Sequence, residues 1–234
     1  MSNHQTRPTK PPGPVKRNSY PRWWSVGFWI CTVISVAVAL RRVYALAYPP
    51  RNVPAQMAAL DAVFGSHAAL TLAHILPALA FVVIAPLVVF QVSHKDVLLE
   101  RMLYPLGAVV GLTAYAMDAH PVGGWVERSA VLFFNTLFLF SLFRSFTYMR
   151  RNNENLKRRW MTRAIVILLG IATTRPVMGI FFATSRLTHL EPRQFFGIAF
   201  WIGFSVNTLV IEFWLRSAGK SQFHGECPAL HSSS

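Results

Sequence analysis

Between Arg22 and Arg41 the sequence reads WWSVGFWICTVISVAVAL, which is 18 residues without a charge. A helix that crosses a bilayer needs about 20 mostly apolar residues, and several such runs follow along the chain. They are longer than the alternating strands of about ten residues that build outer-membrane barrels. The sequence therefore predicts an all-α, polytopic transmembrane helical bundle of six helices, with spans near 23–40, 70–92, 102–118, 130–149, 164–183 and 195–215.

The composition also indicates a membrane protein. Hydrophobic residues make up 53% of the 234-residue chain and charged residues only 14%, whereas soluble domains carry about a quarter charged residues. This excludes a disordered chain and an ordinary soluble enzyme. The net charge is +14, and the basic residues lie between the apolar runs instead of on one basic face. We therefore expect contact with membrane lipids and no nucleic-acid partner.

The positions of Lys and Arg predict the orientation, because cytoplasmic segments of membrane proteins are enriched in both. With the N-terminus inside, the inner segments hold 16 of these residues and the outer segments hold six. Both termini are therefore expected in the cytoplasm.

Both ends of the chain are predicted to lie outside the bundle. Residues 1–22 are polar, basic and rich in proline, which is typical of a disordered cytoplasmic arm. Residues 217–234 are predicted to form a flexible cytoplasmic tail. His224, Cys227 and His231 would offer only three ligands in that tail, so no metal site is predicted.

Arg175 is the strongest candidate for a functional residue, because an ionisable side chain within lipid is costly. It lies in the fifth predicted span, directly before Pro176, which disrupts the helical hydrogen bonding there. The Thr173 or Thr174 hydroxyl, or a bound water, could satisfy the carbonyl that Pro176 leaves free. Three interpretations stay open, namely an arginine that bridges carbonyls, a site for an anion or a propionate-bearing cofactor, and a side chain that reaches the outer interface.

His67 and His74 are seven residues apart, so on a helix both lie on one face. Imidazole can form hydrogen bonds within a core, contact a ligand, relay protons or ligate haem iron. A bis-histidine haem site would need His120, whose surroundings, MDAHPVGG, are typical of a loop. Haem is therefore disfavoured as a cofactor.

Asp118 and Asn135 are polar residues at a similar predicted depth in the third and fourth spans. We predict a ligand-binding site in the outer half of the bundle, formed by His74, Arg175, Asn135, Asp118 and His67. No Ser/His/Asp order, Cys/His pair or carboxylate pair stands out, so no catalytic residue is predicted.

Four strings, FGSHAALTLAHILPALAFVVIAPLVVFQ, RRWMTRA, GIATTRPVMGIFFATSRLT and FFGIAFWIGF, resemble the bacterial integral membrane proteins of domain-of-unknown-function family 2306. The resemblance covers about residues 40–217, and TTRP and WMxR are its most specific motifs. It implies a six- or seven-helix domain in the bacterial inner membrane, and the family has no established activity. The positions that recur in the family match His74, Gln91, Trp160, Met161, Arg163 and Arg175.

The chain departs from the family pattern at two places where a histidine is common. The segment before the third span reads LLERMLYPLG, and the segment before the Trp-Met pair reads LKRRWM, with Lys157 at the histidine position. If those histidines bind haem in relatives, this chain has lost them.

The sequence thus predicts an integral inner-membrane protein that binds a small ligand or cofactor within its bundle. The alternatives are a membrane redox protein resembling the b-type cytochromes, and a transporter or a membrane scaffold for a partner. The ligand, the protein partner and the oligomeric state are left open.

Overall fold

A computed structural model describes residues 22–48, 61–62, 64–90, 96–188 and 192–223. Seven helices account for most of these residues, and no strand occurs among them. The all-α prediction is confirmed. The helices are α1 (Arg22–Ala47), α2 (Ala68–Val89), α3 (Asp96–Met117), α4 (Gly124–Arg150), α5 (Glu154–Leu168), α6 (Gly170–Thr188) and α7 (Pro192–Phe223).

The chain is a multi-pass helical membrane protein. Within the described ranges, five stretches are long and apolar enough to cross a membrane, namely Arg22–Ala47, Ala68–Val89, Gly124–Arg150, Glu154–Thr184 and Gln194–Ser217. The fourth stretch combines α5 with most of α6.

Helix α3 corresponds to the third predicted span but is not among these five stretches. Its first turns carry Glu100 and Arg101, which shorten its apolar part. The helix nevertheless packs between α2 and α4. The count of six spans therefore stays a prediction, in which α3 crosses the membrane between α2 and α4.

Two helices extend beyond the intervals expected from the sequence. Helix α1 continues through Arg41 and Arg42 to Ala47, and α7 continues past residue 217 to Phe223. Residues 1–21 of the predicted arm, the tail from residue 224 onward with its two histidines and cysteine, and Gln91 lie outside the described residues.

The helices form a ring in which α1 packs on α2, α2 on α3, α3 on α4, and α4 on α7. Helices α5 and α6 close the ring, but they do so with different neighbours. Helix α5 packs mainly against α4 and α7, whereas α6 packs mainly against α7 and α1. The two helices join at a turn at Leu169. One half of the bundle therefore contains α5, packed on α4 and α7, and the other half contains α6, packed on α7 and α1.

The half that contains α5 holds a continuous apolar core. Phe81, Leu103, Phe138 and Ile165 are almost completely buried there. This half also contains a charged pair between helices, in which Arg163 of α5 forms a two-pronged contact with Glu212 of α7.

Lys157 holds α5 to α3 in this half. Its Nζ donates to Glu100 Oε2 at 3.0 Å and also contacts Glu154. Lys157 thus forms one ion pair between helices, with Glu100, and one within α5, with Glu154.

Candidate functional site

A cavity of about 280 Å³ lies in the opposite half of the bundle, which contains the end of α1 and the start of α2. We call this the Arg42 half. Its walls come from all seven helices, α5 contributing its last two residues, Ile167 and Leu168, and most of the side chains that line it are apolar. All five residues predicted to bind a ligand line this cavity, namely His67, His74, Asp118, Asn135 and Arg175.

The Arg175 side chain lies in the cavity wall without a carboxylate partner among the described residues. Its Nη1 contacts Met178 Sδ at 3.9 Å, and a thioether is a weak acceptor. Its Nε is buried and has no hydrogen-bond partner in the described part of the chain. A second cation, Arg42, lines the same cavity. Arg175 is therefore a cation in a mostly apolar cavity wall, without an oxygen acceptor among the described residues.

The five predicted residues share the cavity but do not form one hydrogen-bonded cluster. No hydrogen bond joins Arg175 to His74, Asp118 or Asn135 in the part of the chain that the structure describes. The expected contacts of the neighbouring threonines also differ. Thr173 donates to Asn207 Oδ1 at 2.6 Å and Thr174 donates to the Gly170 carbonyl at 2.9 Å, so both hydroxyls are used elsewhere than at the carbonyl freed by Pro176.

His74 is held by a hydrogen bond to α3. Its Nδ1 lies 3.0 Å from Thr113 Oγ1, and the Thr113 hydroxyl lies within hydrogen-bonding distance of the Val109 and Val110 carbonyls, at 2.6 and 3.1 Å. When the hydroxyl donates to either carbonyl, its oxygen accepts from the Nδ1–H of His74, and Nε2 of the neutral ring is then an acceptor.

His67 and His120 stack on one another at one end of the cavity, with ring centroids 4.4 Å apart and planes tilted by 31°. His67 caps the start of α2, and His120 lies in the turn after α3. Two axial haem ligands point their nitrogens at one iron from opposite faces of a porphyrin, and direct ring stacking is a different arrangement. This geometry gives the cytochrome alternative no support.

The acidic groups of the cavity already have local partners. Asp118 Oδ2 lies 3.7 Å from Arg128 Nε, although Oδ1 of the same carboxylate has no partner. Glu127 in the first turn of α4 accepts the backbone N–H of Gly123 at 2.5 Å. Carboxylates are favoured at helix starts by the exposed N–H groups and the helix dipole.

Asn135 contributes to the wall mainly as a structural link. Its Nδ2 donates to the Gly111 carbonyl at 2.9 Å and thus ties α4 to α3. Small residues at such contacts let membrane helices approach closely.

Arg42 and Glu127 line the cavity but are absent from the sequence prediction. Arg42 Nη1 donates to Asp61 Oδ1 at 2.5 Å, and its guanidinium lies 4.1 Å from the centre of the Phe64 ring. Both residues lie near helix ends. A charged residue at such a position is predicted to set the orientation of the helix in the membrane or to cap the helix, and not to bind a ligand.

One wall of the cavity is aromatic. Phe196, Phe200 and Phe204 of α7 follow at intervals of four residues and line the same cavity. Phe204 stacks on Phe134 of α4 with ring centroids 5.4 Å apart. This wall offers a ligand apolar surface next to the charged wall of α1 and α6.

The cavity combines the properties of a small-molecule site, which is mostly apolar and carries a few convergent polar groups. Within the described residues, no group of three or more His, Cys, Asp or Glu could hold a metal ion. Comparisons of the chain with protein-family models, with curated proteins and with solved structures found no match.

Proposed function

We propose that this chain is a protein of the bacterial inner membrane that binds a small ligand in the cavity of the Arg42 half. The observation that carries the proposal is the cavity of about 280 Å³ that places the cationic Arg175 and the acceptor-bearing His74 against apolar walls. Protein interiors are normally close-packed, and voids larger than a water molecule are few. A cavity of this size beside a cation that has no counter-ion among the described residues favours an occupant.

The proposed location and orientation rest on the sequence. The excess of Lys and Arg in alternate segments places both termini in the cytoplasm. The Arg42 half then lies on the outer side of the membrane. Membership of family 2306, as the TTRP and WMxR strings suggest, is part of the same proposal and agrees with the inner membrane.

A matched pair of substitutions on α3 tests whether the cavity binds small molecules. Ala114 lines the cavity, whereas Ala116 is exposed on the same helix and lies outside the cavity wall. Ala114→Phe should fill part of the space, and Ala116→Phe adds the same side chain facing away from it.

We use 1-decanol as a neutral probe and follow thermal unfolding of the full chain in dodecylmaltoside. A molecule that binds only the folded protein raises its stability with increasing concentration. We expect decanol to raise the Tm of the parent and of Ala116→Phe in a saturable way, and to have little effect on Ala114→Phe. Equal responses of all three proteins would contradict a ligand site in this cavity.

A further inference from the structure

We infer that the ligand of this cavity is a single-chain amphiphile with an anionic headgroup, and that Arg175 is the counter-ion of that headgroup. The inference rests on the proposed function and names the chemical class of its ligand. It is carried by the distribution of charge and apolar surface around the cavity.

The charges on the α1 and α6 side of the cavity are unbalanced. Arg42 and Arg175 both line the cavity, and among the described residues Asp61 pairs with Arg42 at 2.5 Å and also with Arg41 at 3.6 Å. No described carboxylate lies within 4.0 Å of Arg175. An anion in the cavity would meet this positive charge next to mostly apolar walls, where electrostatic attraction is stronger than in bulk water.

The acids of the opposite wall do not supply that missing charge. Asp118 faces Arg128, which lies outside the cavity wall, and Glu127 is held by the N–H of Gly123. Neither carboxylate lies within 4.0 Å of the Arg175 guanidinium. The cationic side therefore remains available to a ligand.

The guanidinium of Arg175 offers the geometry that a carboxylate or phosphate head requires. A planar guanidinium presents several N–H donors and can bind two oxygens at once. Within the described ranges, the Nε–H of Arg175 lacks a partner and Nη1 has only the Met178 sulfur. Both groups could donate to one headgroup without the loss of another hydrogen bond to oxygen.

The remaining wall fits an apolar tail. The side chains of Phe134, Phe200 and Phe204 line the cavity together with aliphatic residues of α2. The volume of about 280 Å³ lies at the lower end of small-molecule sites, which span about 300–1,000 Å³. A single alkyl chain fits such a space better than the two alkyl chains of a phospholipid.

The test compares three probes with the same ten-carbon chain, namely decanoate, 1-decanol and decylammonium. Their effect on the Tm of the full chain is measured at equal concentrations in dodecylmaltoside. We expect decanoate to bind the parent about 10- to 100-fold more tightly than decanol, as one or two charge-assisted hydrogen bonds allow. Decylammonium should bind more weakly than decanol.

Arg175→Gln removes the cation and should reduce the affinity for decanoate to that for decanol. Arg175→Lys keeps the charge and should retain part of the preference. Arg144→Gln is the matched control, because Arg144 also has a buried Nε without a partner but lies outside the cavity wall. This control should keep the full preference for decanoate.

The outcomes separate this inference from the proposed function. Decanol binding that Ala114→Phe abolishes, without any advantage for decanoate, would overturn the anionic headgroup and leave the ligand site intact. A preference for decanoate that survives in Arg175→Gln would overturn the role of Arg175. The absence of any binding sensitive to Ala114→Phe would overturn the site itself.

Discussion

Two arginines in successive helices, Arg163 of α5 and Arg175 of α6, differ in how their charge is compensated. Arg163 forms a two-pronged contact with Glu212, and its guanidinium also lies 4.3 Å from the centre of a Trp160 ring. Arg175 has neither a carboxylate nor an oxygen acceptor among the described residues. The first arginine therefore stabilises the fold, whereas the second costs free energy in the unliganded protein.

We accordingly expect Arg175→Met to raise the stability of the unliganded protein, by up to about 3 kcal/mol, because it removes a desolvated cation from an apolar environment. The measurement is thermal or chemical unfolding of the delipidated protein in detergent. Arg163→Met is the control and should lower stability by about 1–3 kcal/mol, because Glu212 then loses its partner. A loss of stability in Arg175→Met as large as that in Arg163→Met would show that Arg175 has a structural partner.

The residues of the candidate site could be predicted only in part from the sequence. His74 and Arg175 stand out because each interrupts an apolar span, and the structure places both at one cavity. Arg42 and Glu127 could not be found in this way, because charges at helix ends are common for reasons of orientation and capping. The absence of a bonded partner for Arg175 also depends on side-chain geometry that a sequence does not contain.

At the scale of the helices, the joint between α5 and α6 explains why a cavity forms in one half of the bundle. The sequence predicts one span over 164–183, but the helix is interrupted by a turn at Leu169 and changes neighbours there. Helix α5 fills the space next to α4, whereas α6 packs towards α1 and leaves the space between α4 and Arg175 open. Apolar periodicity predicts the span but carries no information about this change of partner.

The close contact of α6 with α7 depends on Gly203. A Cβ at this position would lie 2.6 Å from the Thr174 backbone nitrogen and 2.8 Å from its Cα. Gly203→Ala should therefore separate the two helices and lower stability by about 1–3 kcal/mol, as measured by unfolding in detergent.

Gly179 of α6 is the matched control, because an added Cβ there meets nothing within 4 Å. Gly179→Ala should raise stability by about 0.5–1 kcal/mol through the better helix propensity of alanine. If both substitutions changed the free energy of unfolding in the same direction, the close approach of α6 and α7 at Gly203 would not be important for stability.

For the whole molecule, the open question of architecture is whether α3 crosses the membrane. Five stretches qualify as spans by length and composition, and an odd number would place the two termini on opposite sides. The packing of α3 between α2 and α4 and the distribution of Lys and Arg favour six crossings.

We expect reporter fusions after Ser234 to be active with a cytoplasmic reporter, such as a green fluorescent protein, and silent with alkaline phosphatase. Fusions at the N-terminus should behave in the same way. If alkaline phosphatase were active at the C-terminus but not at the N-terminus, the number of spans would be odd. Helix α3 would then not cross the membrane.

The central claim is that the cavity of the Arg42 half holds an anionic amphiphile against Arg175. An experimental structure of the full chain with 10-bromodecanoate would test it, because bromine can be located by its anomalous scattering. We predict one bromine position between the side chains of Phe134, Phe200 and Phe204, with the carboxylate at hydrogen-bonding distance from the Arg175 guanidinium. Bromine found only on the lipid-facing surface of the bundle, with the cavity free of the probe, would contradict the claim.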